Sequence, residues 1–185
     1  MRRRQETVKA SVSEIIATVL GEAYAPREVL EENRAIHARL GLDDADERCV
    51  VVGGLGAVSS NNGNSGAGGA VMSDTPVTLV FRPDAVRNNE VLELKVLRRY
   101  SDRDRLLMHA FLQIQLELYA LGIERGRILL HSLAENKTSE LEVTMDPEVA
   151  ERLIDYFLEL RRRRDELQKW LVERMPSPRR RELGT

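Results

Sequence analysis

Phe81-Arg82-Pro83-Asp84-Ala85-Val86-Arg87-Asn88-Asn89-Glu90-Val91-Leu92-Glu93-Leu94-Lys95-Val96 is the stretch whose reading decides the fold of this chain. Val77 to Val86 reads as one β-run and Glu90 to Leu97 as the next, with two asparagines between them. Asparagine tolerates the left-handed backbone that a two-residue hairpin requires, which places the turn at Asn88-Asn89. That register sets Arg87 against Glu90, Ala85 against Leu92 and Asp84 against Glu93. Cβ atoms across such a pair lie about 5 Å apart, where uncompensated like charges are destabilising, so a cation belongs beside them. Strand alternation sorts the second run: Leu92, Leu94 and Val96 share one side, while Val91, Glu93 and Lys95 share the other. Glu93 and Lys95 therefore project together, roughly 7 Å apart along the strand. Pro83 belongs at an edge, a strand end or a bulge, which leaves a register shifted by one residue open.

Two explanations of this charge pattern compete. An ordinary half-buried strand would put Glu93 and Lys95 in water, with no chemistry attached. The functional explanation is metal-assisted hydrolysis of a phosphodiester. A hard divalent cation such as magnesium prefers oxygen ligands, so two carboxylates and a substrate phosphate suit it. Lys95 would then assist the attacking water or stabilise charge on the phosphoryl oxygens.

Pro83-Asp84 followed by Glu93-Leu94-Lys95 resembles the signature of the PD-(D/E)XK nuclease superfamily. On the helix that follows, Gln115 and Tyr119 resemble the Gln-x-x-x-Tyr motif of the RecB-like branch. Upstream, Ile36-His37 resembles that branch's first motif, with Asn33 where the family usually has glycine. The resemblance implies a restriction-endonuclease-like α/β core, a central mixed sheet flanked by helices. It implies His37, Asp84 and Glu93 as metal ligands with the Leu94 backbone carbonyl completing the shell, Mg2+ or Mn2+ as the cofactor, and Lys95, Gln115 and Tyr119 as the remaining catalytic or positioning groups. Each side chain also has a plain structural explanation, since Gln115 and Tyr119 share a helix face beside leucines and a lone histidine near Leu30 and Leu40 is commonly just packed.

Within this branch the chain is most similar to the CRISPR-associated exonucleases that act in spacer acquisition. Ser11-Val12-Ser13-Glu14-Ile15-Ile16 resembles their opening helix, and Ala25-Pro26-Arg27 resembles their Cys-Pro-Arg with the cysteine replaced. Their closing cysteine cluster has no counterpart here, where Met175-Pro176-Ser177-Pro178 leads to Arg179-Arg180-Arg181. An iron-sulfur cluster usually takes four cysteine thiolates, and this sequence has one cysteine. Cys49 reads as a small buried hydrophobe at a strand start, so neither an iron-sulfur centre nor a disulfide is expected. The implied activity is a metal-dependent deoxyribonuclease, an exonuclease on single strands or DNA ends, serving CRISPR adaptation or DNA repair. The alternative is a catalytically weak or inactive DNA-binding or assembly subunit on the same fold. A dimeric restriction-type or junction-resolving enzyme is a further rival, against which Gln115 and Tyr119 weigh.

The 185 residues, 42% of them hydrophobic, suffice for one sizeable core. Residues 1–175 read as a single nuclease domain and 176–185 as a basic tail. Of the 28 basic residues 24 are arginine, suited to bidentate phosphate contacts. The net charge is -2, so attraction to DNA must come from local patches. Arg98 and Arg99, directly after the motif strand, are the expected DNA contacts. Arg2 to Arg4, Arg161 to Arg164 and Arg179 to Arg181 read as solvated charge, the first and last at termini.

Thr7 to Ala23 and Arg27 to Leu40 are predicted helices, with Arg48 to Val58 strand-like. Residues 59–70, rich in glycine, serine and asparagine, read as a flexible insertion; no Gly-Lys-Ser or Gly-Lys-Thr ends it, which argues against a nucleotide-phosphate loop. Asp102 to Leu121 is a predicted helix capped by Ser101 and ended by Gly122, and a hairpin from Arg127 to Thr144 leads to a long helix beginning near Pro147. The far end of that helix carries Leu167, Trp170 and Leu171, leaving a second subunit open as a partner alongside DNA and other DNA-processing proteins. No segment reads as an export signal or membrane span, and a cytoplasmic location is expected.

Overall fold

The structure is a computed structural model that describes residues 7–21, 34–42, 47–52 and 76–174. The insertion at 59–70, the arginines at 2–4 and 179–181, the tail, and Ala25-Pro26-Arg27 lie outside the described residues.

The chain opens with β1 (Val8–Ser11), which runs straight into α1 (Val12–Leu20). This corrects the single helix expected from Thr7 to Ala23. The Ser11 hydroxyl accepts a hydrogen bond from the Glu14 amide at 3.0 Å, capping α1 and fixing the strand-to-helix change at that residue. β2 (Arg48–Val52) and β3 (Val77–Phe81) follow. They form a three-stranded sheet in the order β1-β3-β2, with β1 parallel and β2 antiparallel to β3. β2 is thus an edge strand, and Cys49 on it is exposed and unpaired rather than buried.

The expected run from Val77 to Val86 is broken. Arg82, Pro83 and Asp84 leave the strand, and β4 (Ala85–Arg87) belongs to a second sheet. Proline, without an N–H to give to a ladder, stands at this corner. β4 turns through Asn88 and Asn89, whose φ values of 50° and 61° are left-handed, into β5 (Glu90–Leu97). The register is the one the turn predicts, with Ala85 opposite Leu92 and Arg87 opposite Glu90. β6 (Arg125–Ser132) runs parallel to β5, and β7 (Lys137–Thr144) closes the order β4-β5-β6-β7.

A parallel pair needs a crossover, and here it is α2 (Arg103–Leu121), preceded by a 3-10 turn at Tyr100–Asp102. Ser101 lies inside that turn rather than capping α2. α2 packs across β5 and β6 through Ala110, Ile114 and Leu118 against Val91 and Ile128. Gly126 permits this contact, since a Cβ there would stand 2.7 Å from Ile114 Cδ1 and 2.9 Å from the Val91 carbonyl oxygen. On the opposite face of the same sheet, Leu94, Val96 and Ala85 pack with Ile36 and Leu42. α3 (Pro147–Arg174) completes the core with Ala150, Leu153, Ile154 and Phe157 against α1, β3 and α2. The architecture is mixed α/β, two mixed sheets flanked by helices, consistent with a restriction-endonuclease-like core whose expected single sheet is here divided in two. Among the described residues, no helix is long and apolar enough to cross a membrane.

Candidate active site

β5 is covered on both faces, so its alternation separates apolar from charged residues inside the protein rather than sorting core from water. Leu94 and Val96 enter one core. Glu93 and Lys95 turn to the other side, beneath α2, where Glu93 is only 2% exposed. The solvated-strand explanation of Glu93 therefore fails.

Asp84 and Glu93 each have a basic partner of their own. Asp84 Oδ1 lies 2.9 Å from His37 Nδ1, and Asp84 Oδ2 accepts a hydrogen bond from the Leu94 amide at 2.6 Å. The helical residues 34–39 carry His37 to this point, and the Arg87 side chain ties the segment to the hairpin by donating to the Gly41 carbonyl. Lys95 Nζ stands 2.5 Å from Glu93 Oε1. Within an antiparallel pair, a residue's N–H and C=O point to the same neighbour, so the Leu94 carbonyl shares the Asp84 side of β5.

Gln113 and Glu117 on α2 complete the cluster. The Gln113 Oε1 accepts from Lys95 Nζ at 2.9 Å. Its Nε2 donates to Glu93 Oε2 at 2.8 Å and to Glu117 Oε1 at 3.1 Å. A single amide thus fixes the spacing of an ammonium and two carboxylates. Glu117 is buried, and its Oε2 has no hydrogen-bond partner.

Gln115 and Tyr119, by contrast, are directed elsewhere. The Gln115 amide donates to the Thr144 carbonyl at 2.9 Å and accepts from the Asp146 amide at 2.7 Å. The Tyr119 hydroxyl donates to Glu151 Oε1 at 3.2 Å. At about 100° per residue, positions 113 and 115 project from well-separated sides of the helix. The structure brings His37, Asp84, Glu93 and Lys95 together, adds Gln113 and Glu117, and uses Gln115 to fasten α2 to the link between β7 and α3 and Tyr119 to fasten it to α3. The amphipathic stripe around Ile114 was the signal that could have found Gln113 and Glu117, because it has two polar flanks and only packing selects between them.

Burial dominates the electrostatics of this cluster. It pushes the Glu93 carboxyl up to about 7 against the pull of the Lys95 ammonium, and the charge of Asp84 adds to the rise. Burial, then the charge of Glu93, raises Glu117 well above the usual carboxylate range. For Lys95 burial acts downward, but the charge and hydrogen bond of Glu93 outweigh it and hold the ammonium above its ordinary value. His37 follows the same pattern, with Asp84 as the partner that overcomes burial.

Among the described residues, no three His, Cys, Asp or Glu side chains stand jointly in position to hold an ion. The donor chemistry nevertheless fits a hard divalent cation. Two carboxylates and an imidazole belong to one cluster, and there the charge of Asp84 adds to the rise at Glu93. The orphaned Glu117 oxygen records the same deficit.

The C-terminal end of β5 leads to Arg98 and Arg99. Arg98 lines a cavity of about 230 Å3 beside Tyr100, Arg103 and Lys137. Arg99, also exposed, does not line it. Of the run at 161–164, Arg162 and Arg163 pair with Glu159, and Arg162 also with Glu166, on the surface of α3.

No family model matches the sequence, and no curated protein matches it. Among solved structures, the crystal structure of SSO0001 overlays with a TM-score of 0.53 at 17% identity, covering 86% of this chain and 78% of that one. The two share a fold. An alkaline exonuclease, LHK-Exo from Laribacter hongkongensis, overlays with a TM-score of 0.47 at 11% identity, over 89% of this chain and 94% of that one. Its complex with dAMP gives 0.49 at the same identity and coverage.

Proposed function

We propose that this protein is a metal-dependent deoxyribonuclease that hydrolyses phosphodiesters of single strands or DNA ends. The observation that carries the proposal is the nearness of Asp84, paired with His37, to Glu93, paired with Lys95, around β5. His37, Asp84, Glu93 and the Leu94 carbonyl would hold Mg2+ or Mn2+, with no iron-sulfur cluster. Such an ion, when bound, acidifies water and neutralises charge on a phosphate. Lys95 Nζ, 2.5 Å from Glu93 Oε1, would donate a hydrogen bond to the attacking water or a phosphoryl oxygen. Gln113 holds that ammonium at a fixed distance from Glu93. Gln115 and Tyr119 are positioning residues in this scheme, acting through the seat of α2 on α3. Arg98 and Arg99 would guide the strand leaving the site. The motif order, similar to that of CRISPR-associated exonucleases, supports a place in DNA-end processing, in spacer acquisition or repair.

A cleavage assay with manganese or magnesium on single-stranded and duplex DNA tests the proposal. Lys95→Ala and Asp84→Ala should each lower turnover roughly 100-fold or more, and a chelator should abolish it. Activity equal to that of the parent in both variants would refute this site. Metal-dependent binding with no turnover would point to a DNA-binding subunit.

A further inference from the structure

The cavity beyond β5 opens on the same face of the sheet as Lys95. Lys95 pairs with Leu130 and Leu97 with Ser132, and ladder partners share a face. Leu97, Leu130 and Ser132 all line the cavity, so its wall runs from beside Lys95, at Leu130, to one strand repeat, roughly 7 Å, past it. Arg98 and Arg103 contribute from the chain that leaves β5, Arg103 lying 3.9 Å from Asp104 on its outer side, and Lys137 from the start of β7, with Glu135 as the acid in the lining. Tyr100 stands at the rim, 79% exposed. Only 4% of this sequence is aromatic, so a tyrosine held out in water beside three cations calls for an occupant.

We propose that this cavity is a nucleotide subsite for single-stranded DNA, in which an unpaired base stacks on Tyr100 while Arg98, Arg103 and Lys137 take the adjoining phosphate. It rests on the nuclease reading and gives it a substrate preference. A π-face stacks on an aromatic ring whatever the base, and a cationic groove follows the backbone, the pairing used by proteins that bind single strands without sequence preference. Bases of an intact duplex are stacked inside the helix and cannot reach Tyr100 without being extruded. The subsite therefore selects frayed or single-stranded substrate one step from Lys95.

The test is equilibrium binding of a fluorescent oligothymidylate with chelator present, so that affinity is read without cleavage. Tyr100→Ala removes an exposed ring and leaves the core untouched. It should weaken binding roughly tenfold, while Tyr100→Phe retains it. An abasic oligomer should bind parent and Tyr100→Ala equally, and Lys137→Ala should weaken both oligomers. Unchanged oligothymidylate affinity in Tyr100→Ala, or an equal loss with the abasic oligomer, would overturn the subsite. Tyr100-dependent binding by a protein that cleaves nothing in manganese would support the subsite and refute the nuclease reading. Lys95-dependent cleavage with affinity indifferent to Tyr100 would refute the subsite alone.

Discussion

Glu93 shares its burial with Glu117, and a carboxyl whose folded pKa is pushed up to about 7 from 4.5 makes stability depend on pH. Between those values the native state holds a proton that the unfolded chain has released, so stability falls as pH rises through the window. Glu117 acts in the same direction. The melting temperature of the chelator-treated protein should therefore drop between pH 5 and roughly pH 7.5, and Glu93→Gln should flatten that slope. Identical slopes in the two proteins would show that Glu93 is not the titrating group. Manganese at the upper end should restore stability to the parent more than to Glu93→Gln, since a cation that binds only the native state stabilises it by linkage. The two glutamines of α2 predict different phenotypes. Gln113→Ala should lower kcat about tenfold or more, because it removes the amide that fixes the Lys95 ammonium and the second oxygen of Glu93 in place. Gln115→Ala should cost about 1–3 kcal/mol of stability by leaving the Thr144 carbonyl and Asp146 amide without a partner. Equal kinetic losses in both variants, with intact stability, would restore Gln115 to the site. Glu93 and Lys95 were legible as neighbours because strand alternation puts both on one side of β5, whereas Asp84 stands at the corner after Pro83, outside the β4 ladder. Gln113 was not legible, because the i, i+4 spacing of Gln115 and Tyr119 is shared by Gln113 and Glu117, and only the docking of α2 distinguishes the pairs.

The β4-β5 hairpin is the element on which the site is built, and it was readable because its register depends on two asparagines. β1 was not readable as a strand. Among the described residues its four positions pair only with β3, nearly seventy positions away by the register Val8 to Val77, and nothing local separates them from the helix that Ser11 starts. The corner at Pro83 was signalled, but that β3 and β4 join different sheets depends on β1 and β2 flanking β3. The contact of α2 with β5 makes a separate prediction. Gly126→Ala would place a Cβ 2.9 Å from the Val91 carbonyl oxygen, a backbone atom that cannot rotate away, and against the Ile114 methyl. The expected cost is roughly 1–3 kcal/mol, read as a lower denaturation midpoint at unchanged m-value. Moving α2 off β5 also loosens Gln113 from Lys95, so cleavage should fall with stability. An unaffected midpoint would mean that the helix sits further from the sheet.

Across the whole molecule, charge does not favour a polyanion: the net value is -2, and the arginines at 162 and 163 are already paired with glutamates on α3. Long-range steering is therefore weak, and DNA affinity must come from the few cations set around the path out of the site. Each phosphate neutralised on a single strand releases condensed counterions and contributes about -0.7 to the slope of log K against log salt. With Arg98, Arg103 and Lys137 sharing one adjoining phosphate, the slope for an oligothymidylate should be about -0.7, and Lys137→Ala should weaken binding most at low salt. Tyr100→Ala should weaken binding at every salt concentration while leaving the slope unchanged, because stacking releases no counterions. Removing the arginines of α3 should alter neither quantity. A slope several times steeper would mean that the strand runs over a much broader basic surface, and the distinction between a compact exit path and an extended groove would then be settled against the cavity beside β5.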